Sequence, residues 1–390
     1  MAGMVGLSFE PAKCVRSVTR FSECTLCLEA CPVDTLTIAE NNLPSFVPSV
    51  CVDCGGCMGV CPGEAFSLDS FDATELFFDF AKSEESLLSC RINLPCIAAL
   101  STEHLISMAI VKEKNIVVDT GHCSGCPHAD PFYEIIRKSV AEANYILEAC
   151  GMERPILLED IAAEAEESRK ADAHDRRAFL KTFSLKGAAG AKREFDSFVQ
   201  KSDDEPKIHR IDLAALAKIR KKEVPDKRKI LFTALKRLPK PPIYHTVDEG
   251  EISFVSQKFI EAETCTNCQM CYRICPTGAL SSDSKMSRIY FDAMLCIKCR
   301  ACHDTCEPDA IKLQPVFELK EFFEPTQRLL ASFKILHCDE CGLPFTSLKG
   351  ERVCRRCIEE EREAFDLWGL TQEGDTTVVF RKADKKDDTE

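Results

Sequence analysis

The feature that most constrains this chain is a pair of cysteine runs with the same spacing. Two, two and three residues separate neighbouring cysteines in each run, which are Cys265, Cys268, Cys271 and Cys275, then Cys296, Cys299, Cys302 and Cys306. Pro276 directly follows the first run, and Pro308 stands two residues after the second. The spacing is typical of loops that hold [4Fe–4S] clusters, because three close thiolates bind one cluster and the fourth binds its neighbour. Zinc sites and disulfides do not require this regularity.

This pattern predicts two ligand sets with one exchanged cysteine each. One cluster is expected on Cys265, Cys268, Cys271 and Cys306, and the other on Cys296, Cys299, Cys302 and Cys275. The stretch from about residue 250 to 316 resembles the two-cluster bacterial ferredoxins. Pro308 stands one residue further from its run than Pro276 does, and we expect this difference to have little effect on ligation.

An imperfect copy of the same repeat lies near the start of the chain. Cys51, Cys54, Cys57 and Cys61 form a complete run, but Cys24, Cys27 and Cys31 lack a first cysteine, and Phe21 stands in its place. Cys14 is the natural substitute. The predicted sets are Cys51, Cys54, Cys57 and Cys31, and Cys14, Cys24, Cys27 and Cys61. The alternative is a three-iron cluster on Cys24, Cys27 and Cys61, or none, with Cys14 a buried free thiol. Residues 35–38 and 46–50 are predicted edge strands.

The pattern of apolar residues changes between about residues 84 and 158. Strands are predicted at 87–91, 115–119 and 155–158, with helices at 101–110 and from Pro131 to about Ala149 between them. Ser101 or Thr102 is the expected N-cap of the first helix. Strands that alternate with helices predict a small parallel three-layer α/β unit.

Four further cysteines follow the first two of these strands: Cys90, Cys96, Cys123 and Cys126. The sequence around these cysteines resembles the delta subunit of the methyl-viologen-reducing hydrogenases. The stretches that carry the resemblance are Leu94–Leu100, Ile116–Asp119 and Gly121–His128. The resemblance implies a [2Fe–2S] cluster in these loops. It also implies electron passage between a hydrogenase or formate dehydrogenase and a heterodisulfide-reductase-type flavoprotein. This chain has fewer residues between the last two cysteines than that family has.

Three interpretations of these four cysteines stay open. They are one cluster held by all four, a redox-active Cys123/Cys126 pair, and a zinc site. Cys150 has no partner cysteine nearby and is expected to be a buried apolar residue.

The formal charge of −13 is unevenly distributed. Residues 169–240 contain 21 Lys and Arg against 10 Asp and Glu, a net charge of +11, so the remainder carries −24. This basic connector is predicted to be helical at 159–177, 208–222 and 229–238. We expect it either to be a solvated helix face or to dock on acidic ferredoxin surfaces of this chain or of a partner. Nucleic-acid binding is not expected.

Residues 176–181, inside the connector, match a twin-arginine export motif, but no apolar stretch follows, so export is not predicted.

Two Cys-x-x-Cys pairs, twelve residues apart, lie near the end of the sequence: Cys338 with Cys341, and Cys354 with Cys357. This pattern predicts a zinc ribbon. One iron on the same ligands, as in rubredoxin-like modules, is the alternative. Residues 375–390 are expected to be disordered.

The predicted fold class is α+β with several domains. Their predicted bounds are 1–75 and 246–320 for the ferredoxin-like units, 84–158 for the α/β unit, 159–245 for the basic helical connector and 333–362 for the zinc ribbon. The predicted cofactors are four [4Fe–4S] clusters, a fifth cluster of the [2Fe–2S] type, and one zinc ion.

These cofactors predict an electron-transfer protein, a polyferredoxin, since no nucleotide-binding fingerprint or catalytic triad is present. Its expected partners are a hydrogenase, a formate or other dehydrogenase, and a flavoprotein reductase. The alternatives are a thiol/disulfide or sulfur reductase using Cys123 and Cys126, and an iron–sulfur redox sensor. No secretory signal or membrane span is evident, and reduced thiols on this scale favour a cytoplasmic location in an anaerobe.

Overall fold

The computed structural model describes residues 6–161 and 206–368. They form two compact units, one that ends at Ser332 and one that begins at Phe333. The four parts predicted before residue 320 therefore lie within a single unit. The predicted helix beyond residue 161, the twin-arginine motif and the disordered tail lie outside the described residues. Among the described helices, none is long and apolar enough to cross a membrane.

The first part of this unit consists of short strands and short helices. Its elements are β1 (Leu7–Phe9), α1 (Leu26–Glu29), β2 (Leu36–Ile38), β3 (Pro44–Phe46), α2 (Gly56–Val60), β4 (Phe66–Leu68) and α3 (Ala73–Lys82). β1 pairs antiparallel with β4, and β2 pairs antiparallel with β3. The strand predicted at 46–50 ends early, because Pro48 begins a 3₁₀ turn over Pro48–Val50 and has no N–H for a strand ladder.

The second part is a small parallel sheet with two helices. Its elements are β5 (Leu87–Leu88), α4 (Thr102–Val111), β6 (Val117–Asp119), α5 (Ala129–Ala149) and β7 (Leu157–Glu159). The strands pair in the order β5-β6-β7, all parallel, as the alternating pattern predicts. Ser101 caps α4, since its hydroxyl accepts a hydrogen bond from the N–H of His104.

The described part of the basic connector forms two helices, α6 (Leu213–Lys221) and α7 (Asp226–Leu235). Both differ from the predicted bounds. α6 begins five residues later than predicted because Asp212 caps it, accepting a hydrogen bond from the N–H of Ala215 at 2.7 Å. α7 begins directly after Pro225, three residues earlier than predicted.

The third part repeats the layout of the first. Its elements are β8 (Thr246–Asp248), β9 (Lys258–Ile260), α8 (Met270–Arg273), β10 (Leu280–Ser282), β11 (Arg288–Asp292), α9 (Ala301–Asp304), β12 (Ile311–Leu313), β13 (Val316–Glu318), α10 (Lys320–Phe323) and β14 (Gln327–Ser332). β9 pairs with β12 as β1 pairs with β4. β10 pairs with β11 as β2 pairs with β3, and β14 extends this second sheet.

The unit that begins at Phe333 has a hairpin and a helix. β15 (Lys334–His337) pairs antiparallel with β16 (Pro344–Ser347), and α11 (Arg355–Leu367) follows.

Arg228 of α7 is fully buried and joins the connector to two other parts of the first unit. Its Nε donates to Oε1 of Glu103 at 2.6 Å. Its Nη1 donates to the carbonyls of Met294 and Cys296 at 2.8 and 2.9 Å, and its Nη2 donates to the carbonyl of Phe254 at 2.6 Å. Burial disfavours the Glu103 carboxylate, but Arg228 and Lys227 outweigh burial and lower the pKa of Glu103.

Lys227 makes the corresponding contact with the first part. Its Nζ donates to the carbonyl of Cys61 at 2.7 Å and lies 3.4 Å from Oε2 of Glu103. The Glu64 carboxylate accepts hydrogen bonds from the N–H groups of Asp226 and Lys227, where α7 begins. Two successive basic residues thus bind backbone next to predicted cluster ligands in two different parts.

The parallel part packs against α2 through glycines. A Cβ at Gly59 would lie 2.1 Å from the carbonyl oxygen of Ala98, and one at Gly55 would lie 2.8 Å from Cβ of Ala99. Because one of the opposing atoms belongs to the backbone, a side chain at residue 59 would force the two parts to separate.

Replacing Arg228 tests the buried ion pair. We expect Arg228→Ala to lower the free energy of unfolding by about 3–5 kcal/mol, since Glu103 would keep a buried charge that only Lys227 partly compensates. Lys229→Ala is the control on the same helix, where an exposed pair with Asp226 should contribute less than about 1 kcal/mol. Thermal and denaturant unfolding measure the difference. Equal losses in both variants would contradict the assigned role of Arg228.

The glycine contact has a matched control in the same unit. Gly59→Ala should lower the free energy of unfolding by about 1–3 kcal/mol, because its Cβ would overlap the Ala98 carbonyl. Gly125→Ala should have little effect, since nothing lies within 4 Å of the added Cβ. Denaturation midpoints compare the two, and an unchanged midpoint for Gly59→Ala would show that the two parts do not meet there.

Candidate iron–sulfur and metal centres

The three complete cysteine runs share one backbone conformation. In each run, the residue before the second cysteine and the residue after it have positive φ: Asp53 and Gly55, Asn267 and Gln269, Lys298 and Arg300. A left-handed conformation costs a non-glycine residue about 1–3 kcal/mol. Its recurrence in loops of different sequence indicates that the cysteine spacing imposes it. Between Cys24 and Cys27, among the described residues, none has positive φ.

A second shared turn follows the last cysteine of each run. The third residue after it has positive φ in all four cases: Asp34, Glu64, Gly278 and Asp309. The turn directs an N–H toward the thiol sulfur, from Ala65 to Cys61 at 3.3 Å and from Ala310 to Cys306 at 3.3 Å. The late position of Pro308 therefore leaves this turn unchanged. N–H···S bonds of this kind orient a ligand and tune the potential of its cluster.

Three small cavities of nearly equal volume lie at three of the predicted ligand sets. Each has a volume of about 20 Å³. The first is lined by Cys275, Cys296, Cys299 and Cys302. The second is lined by Cys31, Cys51, Cys54 and Cys57. The third is lined by Cys265, Cys268, Cys271 and Cys306. Each cavity thus brings together the three close cysteines of one run and the last cysteine of the other, and the donor sets fit [4Fe–4S] clusters.

The fourth predicted set is assembled around Cys14. Cys14 is buried between the 3₁₀ turns Pro11–Lys13 and Val15–Ser17. Burial, together with Cys61 and Cys24, raises the pKa of its thiol to about 12. Cys27 likewise lies near Cys61, Cys24 and Cys14, which with burial raise the pKa of Cys27. Phe21, where a regular run would have its first cysteine, is half exposed.

The four cysteines of the parallel part also lie near one another. Burial, Cys123 and Asp119 raise the pKa of Cys90 to about 11, and Cys126 adds to this shift. Burial raises the pKa of Cys96 to about 12, and the thiols of Cys54, Cys90 and Cys123 add to this shift. Cys96 is therefore near thiols of the parallel part and near Cys54, which lines a cavity of the first part. Cys150 is buried, and burial alone raises the pKa of its thiol to about 12.

Lys258 is a residue near these centres that the cysteine pattern does not reveal. It is buried and lines the cavity of Cys275, Cys296, Cys299 and Cys302. Its Nζ donates to Oγ of Ser256 at 3.1 Å, and that oxygen lies 3.5 Å from Sγ of Cys296. A comparison of the two repeats residue by residue would have found a lysine where the first repeat has an apolar residue.

His303 is the other hydrogen-bond partner of Lys258. Its Nε2 lies 3.0 Å from the lysine Nζ, and because lysine can only donate, the imidazole accepts. Burial, with Lys258 and Arg300, lowers the pKa of His303 to about 4, so the ring is neutral at pH 7.

The first and third parts meet directly beside two cysteine sets. The Asp304 carboxylate accepts a hydrogen bond from the N–H of Glu23 at 3.3 Å, next to Cys24. The hydroxyls of Thr305 and Thr19 lie 3.0 Å apart, next to Cys306.

The unit that begins at Phe333 brings four thiols much closer together. The sulfurs of Cys338, Cys341, Cys354 and Cys357 all lie within 4.8 Å of one another. Within the described ranges, no other group of three or more Cys, His, Asp or Glu meets this limit. Such close sulfurs fit a single tetrahedral ion. Burial raises the pKa of Cys338, but the N–H groups of Cys341, Cys354 and Glu340 outweigh it and lower the pKa to about 6. Hydrogen bonds with Cys354, Cys341 and Cys338, together with burial, raise the pKa of Cys357 to about 12, so one thiolate of the group is shared with its neighbours.

Comparisons with known proteins match part of the chain. Residues 257–307 match the family described as a 4Fe-4S dicluster domain. A ferredoxin from Streptomyces griseus is 40% identical over 57 residues, which is 15% of this chain and 52% of that protein. A protein named ferredoxin 7Fe from Hydrogenibacillus schlegelii is 42% identical over 45 residues, 12% of this chain and 56% of that protein.

The chain thus spans about half the length of these relatives. The family match contains all eight cysteines of the second pair of runs and ends one residue after Cys306. Lys258 lies at its start, Ser256 directly precedes it, and the cavities of both cluster sets fall largely within it. Residues 257–307 of this chain are thus similar to a ferredoxin-type 4Fe–4S dicluster domain.

Proposed function

We propose that this chain is a multi-cluster iron–sulfur electron carrier, a polyferredoxin with four [4Fe–4S] clusters. The observation that carries the proposal is the set of three equal cavities, each lined by four cysteines from two different runs. The grouping of Cys14 with Cys24, Cys27 and Cys61 supports a fourth cluster. Clusters on such ligands transfer single electrons.

We assign Cys90, Cys96, Cys123 and Cys126 to a fifth cluster. These thiols lie near one another but, unlike Cys338 and its partners, not within the reach of a single ion. That separation favours a cluster of several irons over zinc. The C-terminal four-thiolate group is assigned to zinc, which prefers tetrahedral sulfur sites.

The position of Cys96 indicates how electrons enter or leave. Cys96 lies near Cys54, so the parallel part adjoins the first ferredoxin-like part. In the third part, Cys268 is exposed and Met270, two residues later, is 39% exposed, which gives this part an accessible centre of its own. We propose that a hydrogenase, a formate dehydrogenase or another dehydrogenase docks at one of these two places, the parallel part or the third part. A flavoprotein reductase of the heterodisulfide-reductase type docks at the other.

Metal analysis of anaerobically purified full-length protein tests this proposal. We expect about 16 irons from four [4Fe–4S] clusters, about 18 with a [2Fe–2S] cluster, matching sulfide, and about one zinc per chain. Fewer than about 12 irons in protein with full zinc content would contradict the four-cluster assignment.

Replacing Cys14 tests the fourth ligand set. Cys14→Ser should remove up to about four irons or convert that cluster to a three-iron form with its own EPR signal, because one cluster corner loses its thiolate. Cys150→Ser is the control, since Cys150 is equally buried but belongs to no set. Equal iron content and an unchanged EPR spectrum in Cys14→Ser would exclude Cys14 as a ligand.

A further inference from the structure

The two ferredoxin-like parts can be compared residue by residue through their strands. In the first, Leu7 pairs with Leu68 at the start of β1, and Cys14 follows Leu7 by seven residues. In the other, Lys258 pairs with Leu313 at the start of β9, and Cys265 follows Lys258 by seven residues. Lys258 therefore occupies the position of Leu7.

Both residues line the corresponding cavity. Leu7 lies at the cavity of Cys31, Cys51, Cys54 and Cys57. Lys258 lies at the cavity of Cys275, Cys296, Cys299 and Cys302. Equivalent ligand sets thus face an apolar side chain in one part and a buried ammonium group in the other.

Two hydrogen-bond partners hold the ammonium group beside its ligand set. Ser256 lies between Lys258 and the sulfur of Cys296, and the imidazole of His303 accepts a hydrogen bond from the same nitrogen. Among the described carboxylates, none forms an ion pair with Lys258 within 4.0 Å, so none of them offsets its charge at this cavity.

A second pair of equivalent positions, Asp53 and Lys298, adds to the difference in charge between the two ligand sets. Asp53, between Cys51 and Cys54, has Oδ1 at 3.8 Å from Sγ of Cys51. Lys298 takes that position between Cys296 and Cys299, but its Nζ is 2.6 Å from Oε1 of Glu249, which offsets its charge. The set of Cys31, Cys51, Cys54 and Cys57 therefore has a carboxylate beside it. The set of Cys275, Cys296, Cys299 and Cys302 has a lysine at the equivalent position.

We propose that Lys258 and Asp53 set the two equivalent clusters at different reduction potentials, with the Cys275, Cys296, Cys299 and Cys302 cluster the higher. Reduction adds one negative charge to a cluster, which a nearby ammonium group stabilises and a nearby carboxylate destabilises. The inference rests on the proposed function, because it requires both clusters to be present. It gives the relay a direction: electrons that reach the first ferredoxin-like part pass downhill to the third.

An EPR-monitored redox titration of the full-length chain tests this assignment. Lys258→Met should shift one cluster to lower potential and leave the potentials of the others unchanged, with equal iron content. Lys258→Arg keeps the charge and is the control, so its potentials should stay close to those of the unsubstituted protein. Asp53→Asn should shift a different cluster to higher potential, and it does so without disturbing the buried Lys258 site.

The outcomes separate this inference from the proposed function. Full iron content with no potential shift in Lys258→Met and Asp53→Asn would overturn the inference alone. A shift of the same size in Lys258→Arg as in Lys258→Met would also overturn it, since the effect would then not come from charge. If Lys258→Met loses iron, the Asp53→Asn titration decides. Absence of these two clusters from the unsubstituted protein would overturn both proposals.

Discussion

The arrangement of the first unit depends on the buried ion pair between Glu103 and Arg228. A fully buried guanidinium is tolerated only with a carboxylate and enough acceptors, and Glu103 and three backbone carbonyls supply them. These partners belong to the parallel part and the third part, while Arg228 itself belongs to the connector. Lys227 extends the same network to the carbonyl of Cys61 in the first part. A single helical turn of α7 therefore determines how three cysteine-rich parts meet.

The contacts of the basic residues bear on whether the connector is a solvated helix face or docks on other parts of the protein. The described end of the connector does not present only a solvated basic face, because Lys227 and Arg228 are both buried. Lys218 also pairs with Glu10 of the first part at 3.0 Å, although that pair is exposed and contributes little to stability. The acidic surface that the connector contacts belongs, at these residues, to the same chain.

Local chemistry explains what sequence could predict. The spacing of Cys265 to Cys306 determines which cysteines line each cavity and which conformation the loops take, and Ser101 caps its helix through a contact with its own first turn. The burial of Arg228 could not be predicted, because its partners lie 125, 66 and 26 residues away along the chain. The bounds of α6 and α7 were wrong by several residues, since Asp212 and Pro225 fix the helix starts more strongly than the apolar pattern does.

The position of Cys96 beside Cys54 has a consequence for how many electrons the protein can store. Where both neighbouring sets hold clusters, an electron on one makes the addition of an electron to the other less favourable, because like charges repel. The two centres would then fill one after the other rather than together. At potentials where the first centre is reduced and the second is not yet reduced, the chain would hold fewer electrons than two independent centres would.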